Sequence, residues 1–113
     1  MTFVFDRRSE PRLDVRIPAV LLVSATATSL EGTIANFSED GARVELDAGR
    51  DAMLAFLEEG MRLHLYETRF ENLYECELRW KQERALGVRF IDLATRATRT
   101  AIIARLRAEQ SPA

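Results

Sequence analysis

From Leu13 to Val23 apolar residues occupy alternate positions, Leu13, Val15, Ile17, Ala19, Leu21 and Val23, a period of two that belongs to a strand with one buried face. A second run from about Leu30 to Phe37 leads into Ser38-Glu39-Asp40-Gly41, and a third sets Val44 and Leu46 against Arg43 and Glu45. Asp-Gly between two such runs predicts a hairpin. Residues 51–59 place Met53, Leu54, Phe56 and Leu57 among strong helix formers and stop at Gly60, which predicts a short inserted helix. Alternation then resumes. Strand four should turn Met61, Leu63 and Leu65 inward and Arg62, His64 and Tyr66 outward. Strand five should bury Tyr74, Cys76, Leu78 and Trp80 opposite Glu75, Glu77, Arg79 and Lys81, and strand six should bury Leu86, Val88 and Phe90. After Asp92 the period lengthens: Ile102, Ile103 and Leu106 fall at helical spacing, with Arg96, Arg99, Arg105 and Arg107 as the expected solvated side. Short strands with hairpin signals favour an all-β chain closed into an antiparallel barrel, because closure removes the free edges that invite aggregation.

At 113 residues the chain suits one domain around one core. Three parts are expected within residues 1–113: an arginine-rich arm over 1–12, mobile until a ligand orders it, a barrel over 13–93, and a helix over 94–109. No apolar run reaches the roughly 20 residues of a membrane helix, and the start lacks the pattern of a secretory signal, so the expected location is cytoplasmic with no membrane insertion. A single Cys76 and a single His64 cannot build the usual zinc site, so no metal is expected. Asn36-Phe37-Ser38 formally matches a glycosylation acceptor, a match without meaning outside a secretory route. The formal net charge of -2 argues against a nucleic-acid polymer as partner, since that requires a broadly positive surface. A small anion remains open. Of 16 basic residues only Lys81 is lysine, and Arg7, Arg8, Arg12 and Arg16 crowd into ten positions.

Arg8-Ser9-Glu10-Pro11-Arg12 followed by Asn36-Phe37-Ser38-Glu39-Asp40-Gly41 resembles the paired signature of PilZ domains, RxxxR and then [D/N]xSxxG. Gly87-Val88-Arg89-Phe90-Ile91-Asp92-Leu93 is similar to that family's last barrel strand, so the likeness runs over nearly the whole chain. It implies a six-stranded antiparallel β-barrel with a C-terminal α-helix, cyclic di-GMP as ligand, and Arg8, Arg12, Asn36, Ser38 and Gly41 as binding residues with Arg7 as an auxiliary. It also implies a protein partner in bacterial motility or surface polysaccharide control.

The residue types suit such a ligand. A guanidinium fork can donate two parallel hydrogen bonds to a phosphate or to guanine O6 and N7, and its flat face can stack on a base. Pro11 biases Glu10 away from helix, so Arg8 and Arg12 on an extended arm stand roughly 13 Å apart at about 3.3 Å per residue. Asn36 and Ser38, two apart, share a face if the strand persists. Gly41 suits a turn with positive φ and lets the backbone approach a ligand. Asn36 stands where the family more often has Asp, and its amide supplies one acceptor, one donor group and no charge.

Plainer readings exist for each feature. An arginine cluster near a terminus is commonly a solvated segment, and NxSxxG alone is commonly a Ser-closed turn; their joint occurrence in the family's order favours the ligand site. Trp80, on the apolar face of strand five, reads as core rather than as a base-stacking platform. Cys76 reads as a buried small hydrophobe, and His64 has no partner for catalysis nearby in sequence. The leading function is a ligand-gated adaptor without catalytic activity. The alternative is an interaction module of the same fold that binds no nucleotide, while an enzyme acting on the nucleotide would need carboxylate or metal-ligand clusters that the sequence lacks.

Overall fold

Alternation of apolar and polar side chains closes the chain into a barrel in the computed structural model, which describes residues 12–47 and 51–110 and, of residues 51 and 52, the backbone alone. The elements are β1 (Leu13–Val23), β2 (Thr28–Phe37), β3 (Gly41–Leu46), α1 (Asp51–Leu54), β4 (Arg62–Glu67), β5 (Asn72–Gln82), β6 (Ala85–Phe90) and α2 (Arg96–Gln110). Every strand pair is antiparallel, and the lateral order β1-β2-β3-β6-β5-β4 closes through β1 and β4. The core inside is aliphatic around three aromatic rings, Phe37, Tyr74 and Phe90, whose centroids lie 5.1–5.9 Å apart at tilted angles, the geometry that ring quadrupoles favour. Arg7 and Arg8, with the rest of the expected arm up to Pro11, lie outside the described residues.

α2 buries Ile102, Ile103 and Leu106 against the barrel. At its C-terminal end Arg69 holds Glu109 at 2.7 Å, and Arg69 and Arg105 both lie over the Phe70 ring. Gln110 Nε2 donates to the Asp14 carbonyl at 2.6 Å, two residues after Arg12.

Bulges decide where side chains point. Leu78 pairs with Val88, but Trp80 pairs with Gly87, so Arg79 is one extra residue on β5, and beyond it the inward and outward positions exchange. Trp80, expected in the core, therefore stands outside with 41% of its surface exposed. Lys81, expected outward, falls opposite the core residue Leu86 and sends its ammonium to the carbonyls of Leu54 and Leu57 at 2.8 and 2.9 Å.

Those two bonds accompany a further correction. The helix expected over 51–59 ends at Leu54, and the chain continues in tight turns from Phe56 N to the Met53 carbonyl and from Leu57 N to the Leu54 carbonyl. The turns drive Leu57 into the core and leave Phe56 on the surface, an arrangement that a regular helix through both residues would not give. Arg99, expected on the solvated side of α2, is also buried, at 2% exposure. Glu67 is a buried carboxylate of the β4–β5 hairpin, receiving Phe70 N at 2.8 Å, Asn72 Nδ2 at 2.9 Å and Tyr74 OH at 3.3 Å. Burial, and then the Glu67 charge, push the Tyr74 phenol above its ordinary range.

Cys76 is fully enclosed, and burial, with smaller contributions from the Asp92 and Glu75 charges, pushes its thiol up to about 12. Since the thiolate is the reactive form, the native protein at pH 8 should leave a disulfide reagent unconsumed over an hour and react fully once denatured. Rapid stoichiometric labelling of native protein would contradict this packing.

Candidate ligand-binding site

The turn between β2 and β3 is built by Ser38. Its backbone N donates to the Gly41 carbonyl at 2.8 Å, and its Oγ accepts from the amides of Asp40 and Gly41 at 3.3 and 3.1 Å while donating to the Gly41 carbonyl at 3.2 Å. β2 ends at Phe37, so the strand does not persist to Ser38 and the shared face expected for Asn36 and Ser38 does not form. Ser38 is buried. Its hydroxyl thus shapes the site chiefly by fixing the turn.

Gly41 has no positive φ; among described glycines only Gly60 does, at 93°. What Gly41 requires is space, because a Cβ there would press into the Val88 carbonyl oxygen of the neighbouring strand. Asn36 lies beyond a second bulge, between Ile34 and Asn36, that turns it outward. Its Oδ1 accepts from Arg43 N at 3.1 Å, leaving the Nδ2 donor for a ligand.

A lateral row crosses the outside of the sheet through paired residues: Asn36 to Arg43, Arg43 to Gly87, and Gly87 to Trp80. With strands about 4.8 Å apart, Asn36 and Gly87 are separated by roughly 10 Å. The indole of Trp80 lies directly over Gly87, where a Cβ would overlap Nε1 and Cε2. Gly87 thereby leaves the space that the ring occupies.

Beside this ring is an open cavity of about 790 Å³, lined by Arg12, Ser38, Asp40, Gly41, Ala42, Arg79, Trp80, Gly87, Val88 and Arg89. It is within the size range that small-molecule sites use. Arg89 is paired with Glu77 at 3.0 Å, whereas neither Arg12 nor Arg79 forms an ion pair among the described residues. Two unneutralised guanidiniums beside an exposed indole can take an anion carrying a flat ring. Of the residues singled out in the sequence, the cavity unites Arg12, Ser38 and Gly41; Asn36 lies outside its lining, and Arg7 and Arg8 are outside the described residues. Arg79, Arg89, Trp80 and Gly87 were missed. Arg89 and Gly87 sat within the quoted strand-six motif, and the two β5 residues carried no local signal of the bulge.

Behind the turn, Asp92 joins β5, β6 and α2. It accepts from Glu75 N at 2.9 Å, from Thr95 N at 3.0 Å and from the Thr95 hydroxyl, and it pairs with Arg99 at 3.2 Å. Burial alone would raise its carboxyl; the Thr95 hydroxyl, the two amides and the Arg99 charge outweigh burial and hold it below the ordinary value. A depressed carboxyl stabilises the fold above its unfolded pKa of about 3.9, and that stabilisation disappears as pH falls through the lower folded value. Asp92→Asn should accordingly melt below the parent at pH 7, with the gap closing below about pH 4. A gap constant from pH 7 to pH 3 would show that charge is not what Asp92 contributes.

The family model described as the PilZ domain matches residues 6–108. The chain belongs to the PilZ domain family. Solved structures agree with the fold: this PilZ domain resembles the PilZ domain of YcgR from Escherichia coli with c-di-GMP, at 17% identity and TM-score 0.68 over 94% of this chain and 100% of that one. It also resembles the PilZ domain of CeSA from a cellulose-synthesizing bacterium, at 11% identity and TM-score 0.67 over 86% and 98%. The Bacillus subtilis inhibitor of motility MotI/DgrA gives 16% identity and TM-score 0.66, covering 95% of this chain and 54% of that one. The present chain thus spans about half the length of that motility inhibitor. No curated protein matches in sequence. No described helix is long and apolar enough to cross a membrane, and no three His, Cys, Asp or Glu residues cluster to hold a metal ion among the described residues.

Proposed function

We propose that this PilZ domain binds cyclic di-GMP on the outer face of β3, β6 and β5, and acts as a cytoplasmic, non-catalytic receptor that passes occupancy to a protein partner. The observation that carries this reading is the cavity itself, lined by Arg12 and Arg79, neither ion-paired among the described residues, by the exposed Trp80 indole, and by Ser38, Asp40 and Gly41 of the turn. In this reading Arg12 and Arg79 hold phosphate or the Hoogsteen edge of guanine, and the indole stacks on a base, a contact worth about 1–3 kcal/mol. Asn36 Nδ2 donates to a base acceptor at the far end of the row. Arg7 and Arg8, five and four residues before Arg12 in sequence, extend the arginine set. Solved relatives named for c-di-GMP, for motility inhibition and for cellulose synthesis support a partner in motility or surface polysaccharide control.

Trp80 is the single tryptophan, so its emission reports directly on this wall. Titration with cyclic di-GMP should change the emission saturably, with calorimetry giving the same affinity. Cyclic di-AMP should compete at least tenfold less well, because adenine puts an amino donor where guanine offers O6, at about 1–3 kcal/mol per bidentate contact. Equal potency of the two would reduce the site to a phosphate clamp, and the absence of any heat or emission change would leave the interaction module that binds no nucleotide.

A further inference from the structure

One buried arginine is tied to the ligand turn without reaching the cavity. Arg99 has 2% exposure and is not among the residues lining the cavity. Its Nε donates to the Glu39 carbonyl at 2.9 Å, one of its terminal nitrogens reaches the Asp92 carbonyl and carboxylate at 3.1 and 3.2 Å, and its guanidinium lies over the Phe90 ring at 4.8 Å. One turn of α2 earlier, Arg96 approaches the carboxylates of Glu39 and Asp40 at 3.6 and 3.5 Å. The Arg96 pairs are exposed and contribute little. The Arg99 guanidinium is buried, and losing it leaves the half-buried Glu39 carbonyl without its donor.

Resting on the cyclic di-GMP reading above, we propose that Arg99 is a positioning residue for the nucleotide site: anchored by Asp92 and Phe90, it fixes the Glu39 carbonyl and so holds the Ser38–Gly41 turn in its binding shape before ligand arrives. The Ser38 hydroxyl closes the turn internally, and Phe90 N, donating to the Asp40 carbonyl at 2.8 Å, ties its far end to β6. Arg99 adds a constraint at Glu39, joining the middle of the turn to α2. Without it the turn is held only at its ends, and the Glu39–Asp40 segment can shift relative to the cavity wall that Arg12 and Trp80 also form. Preorganisation of this kind strengthens binding by removing an ordering cost from the association step.

Arg99→Met retains much of the length and the apolar contact with Phe90 while removing every donor. In the ligand-free protein it should speed hydrogen exchange at the amides of Asp40 and Gly41, and it should weaken cyclic di-GMP binding at least tenfold with the circular dichroism of the fold intact. Arg69→Met, which cuts the Glu109 pair at the other end of α2, controls for loosening of the helix and should leave affinity within threefold. Should Arg99→Met fail to fold, Arg99→Lys keeps the charge and one donor; it should lie between the parent and tenfold weaker, again with faster exchange at the turn. A folded Arg99 variant with parental affinity and parental exchange overturns the proposal, as does an equal affinity loss in Arg69→Met. If the parent itself binds no cyclic di-GMP, the functional reading fails separately, and unchanged exchange at Asp40 and Gly41 in the Arg99 variant then rejects the positioning role by itself.

Discussion

Replacing Arg12 and Arg79 together by alanine is expected to weaken cyclic di-GMP binding by a factor of about 100 or more while leaving the fold unchanged. Each hydrogen bond to a charged group contributes about 1.5–3 kcal/mol, so two lost guanidiniums amount to at least about 3 kcal/mol, and every 1.4 kcal/mol is a factor of ten. Both side chains line the cavity and neither is ion-paired among the described residues. Their removal therefore strands no internal partner. Both residues are exposed, and substitutions of that kind shift stability by about 0.5 kcal/mol or less. Calorimetric titration with thermal melts of the same samples separates the two effects. A double variant within threefold of the parent would move the anion site away from these residues, and a large loss accompanied by a lowered melting temperature would instead assign them a structural role.

The contrast between Arg12 and Arg79 also shows what local sequence can convey. Arg12 was legible because it belongs to a linear motif, and Ser38 and Gly41 were legible for the same reason. Strand positions and most core residues followed from the period of two, which needs only neighbours along the chain. Arg79 and Trp80 were not legible, because the bulge at Arg79 exists only relative to β6: two residues of β5 face one interval of its partner, and nothing within Glu77-Leu78-Arg79-Trp80 announces it. The buried Arg99 was hidden similarly. Its helical spacing matches the polar face of α2, and only the Glu39 carbonyl, the Asp92 carboxylate and the Phe90 ring brought around it by the barrel make burial tolerable. Gly41 lines the cavity, but the positive φ expected of it is absent, and its requirement for glycine comes from β6 rather than from its own φ.

That requirement makes Gly41→Ala the single substitution expected to damage fold and site together. Gly41 opens β3 opposite Arg89, its amide and carbonyl both bond to Ser38, and a methyl group there would be driven into the Val88 carbonyl oxygen. The obstructing atom is backbone and cannot rotate aside, so β3 and β6 must separate or the turn must shift. Overpacking of this sort costs about 1–3 kcal/mol, and with about 4–8 °C lost per kcal/mol in a domain of this size, a fall of roughly 10 °C is expected. Because the shift acts on the turn that walls the cavity, cyclic di-GMP affinity should fall at least tenfold even at temperatures where the variant is fully folded. Gly60→Ala supplies the comparison. Gly60 has φ at 93° with open space around the Cβ position, so alanine there meets only backbone strain, of the order of 1–2 kcal/mol, and lies outside the cavity lining. It should lower the melting temperature while leaving nucleotide affinity within twofold. Thermal melts and calorimetry on both variants make the distinction: parental affinity in folded Gly41→Ala would show that the seam between β3 and β6 can relax without disturbing the turn, and would remove Gly41 from the binding wall.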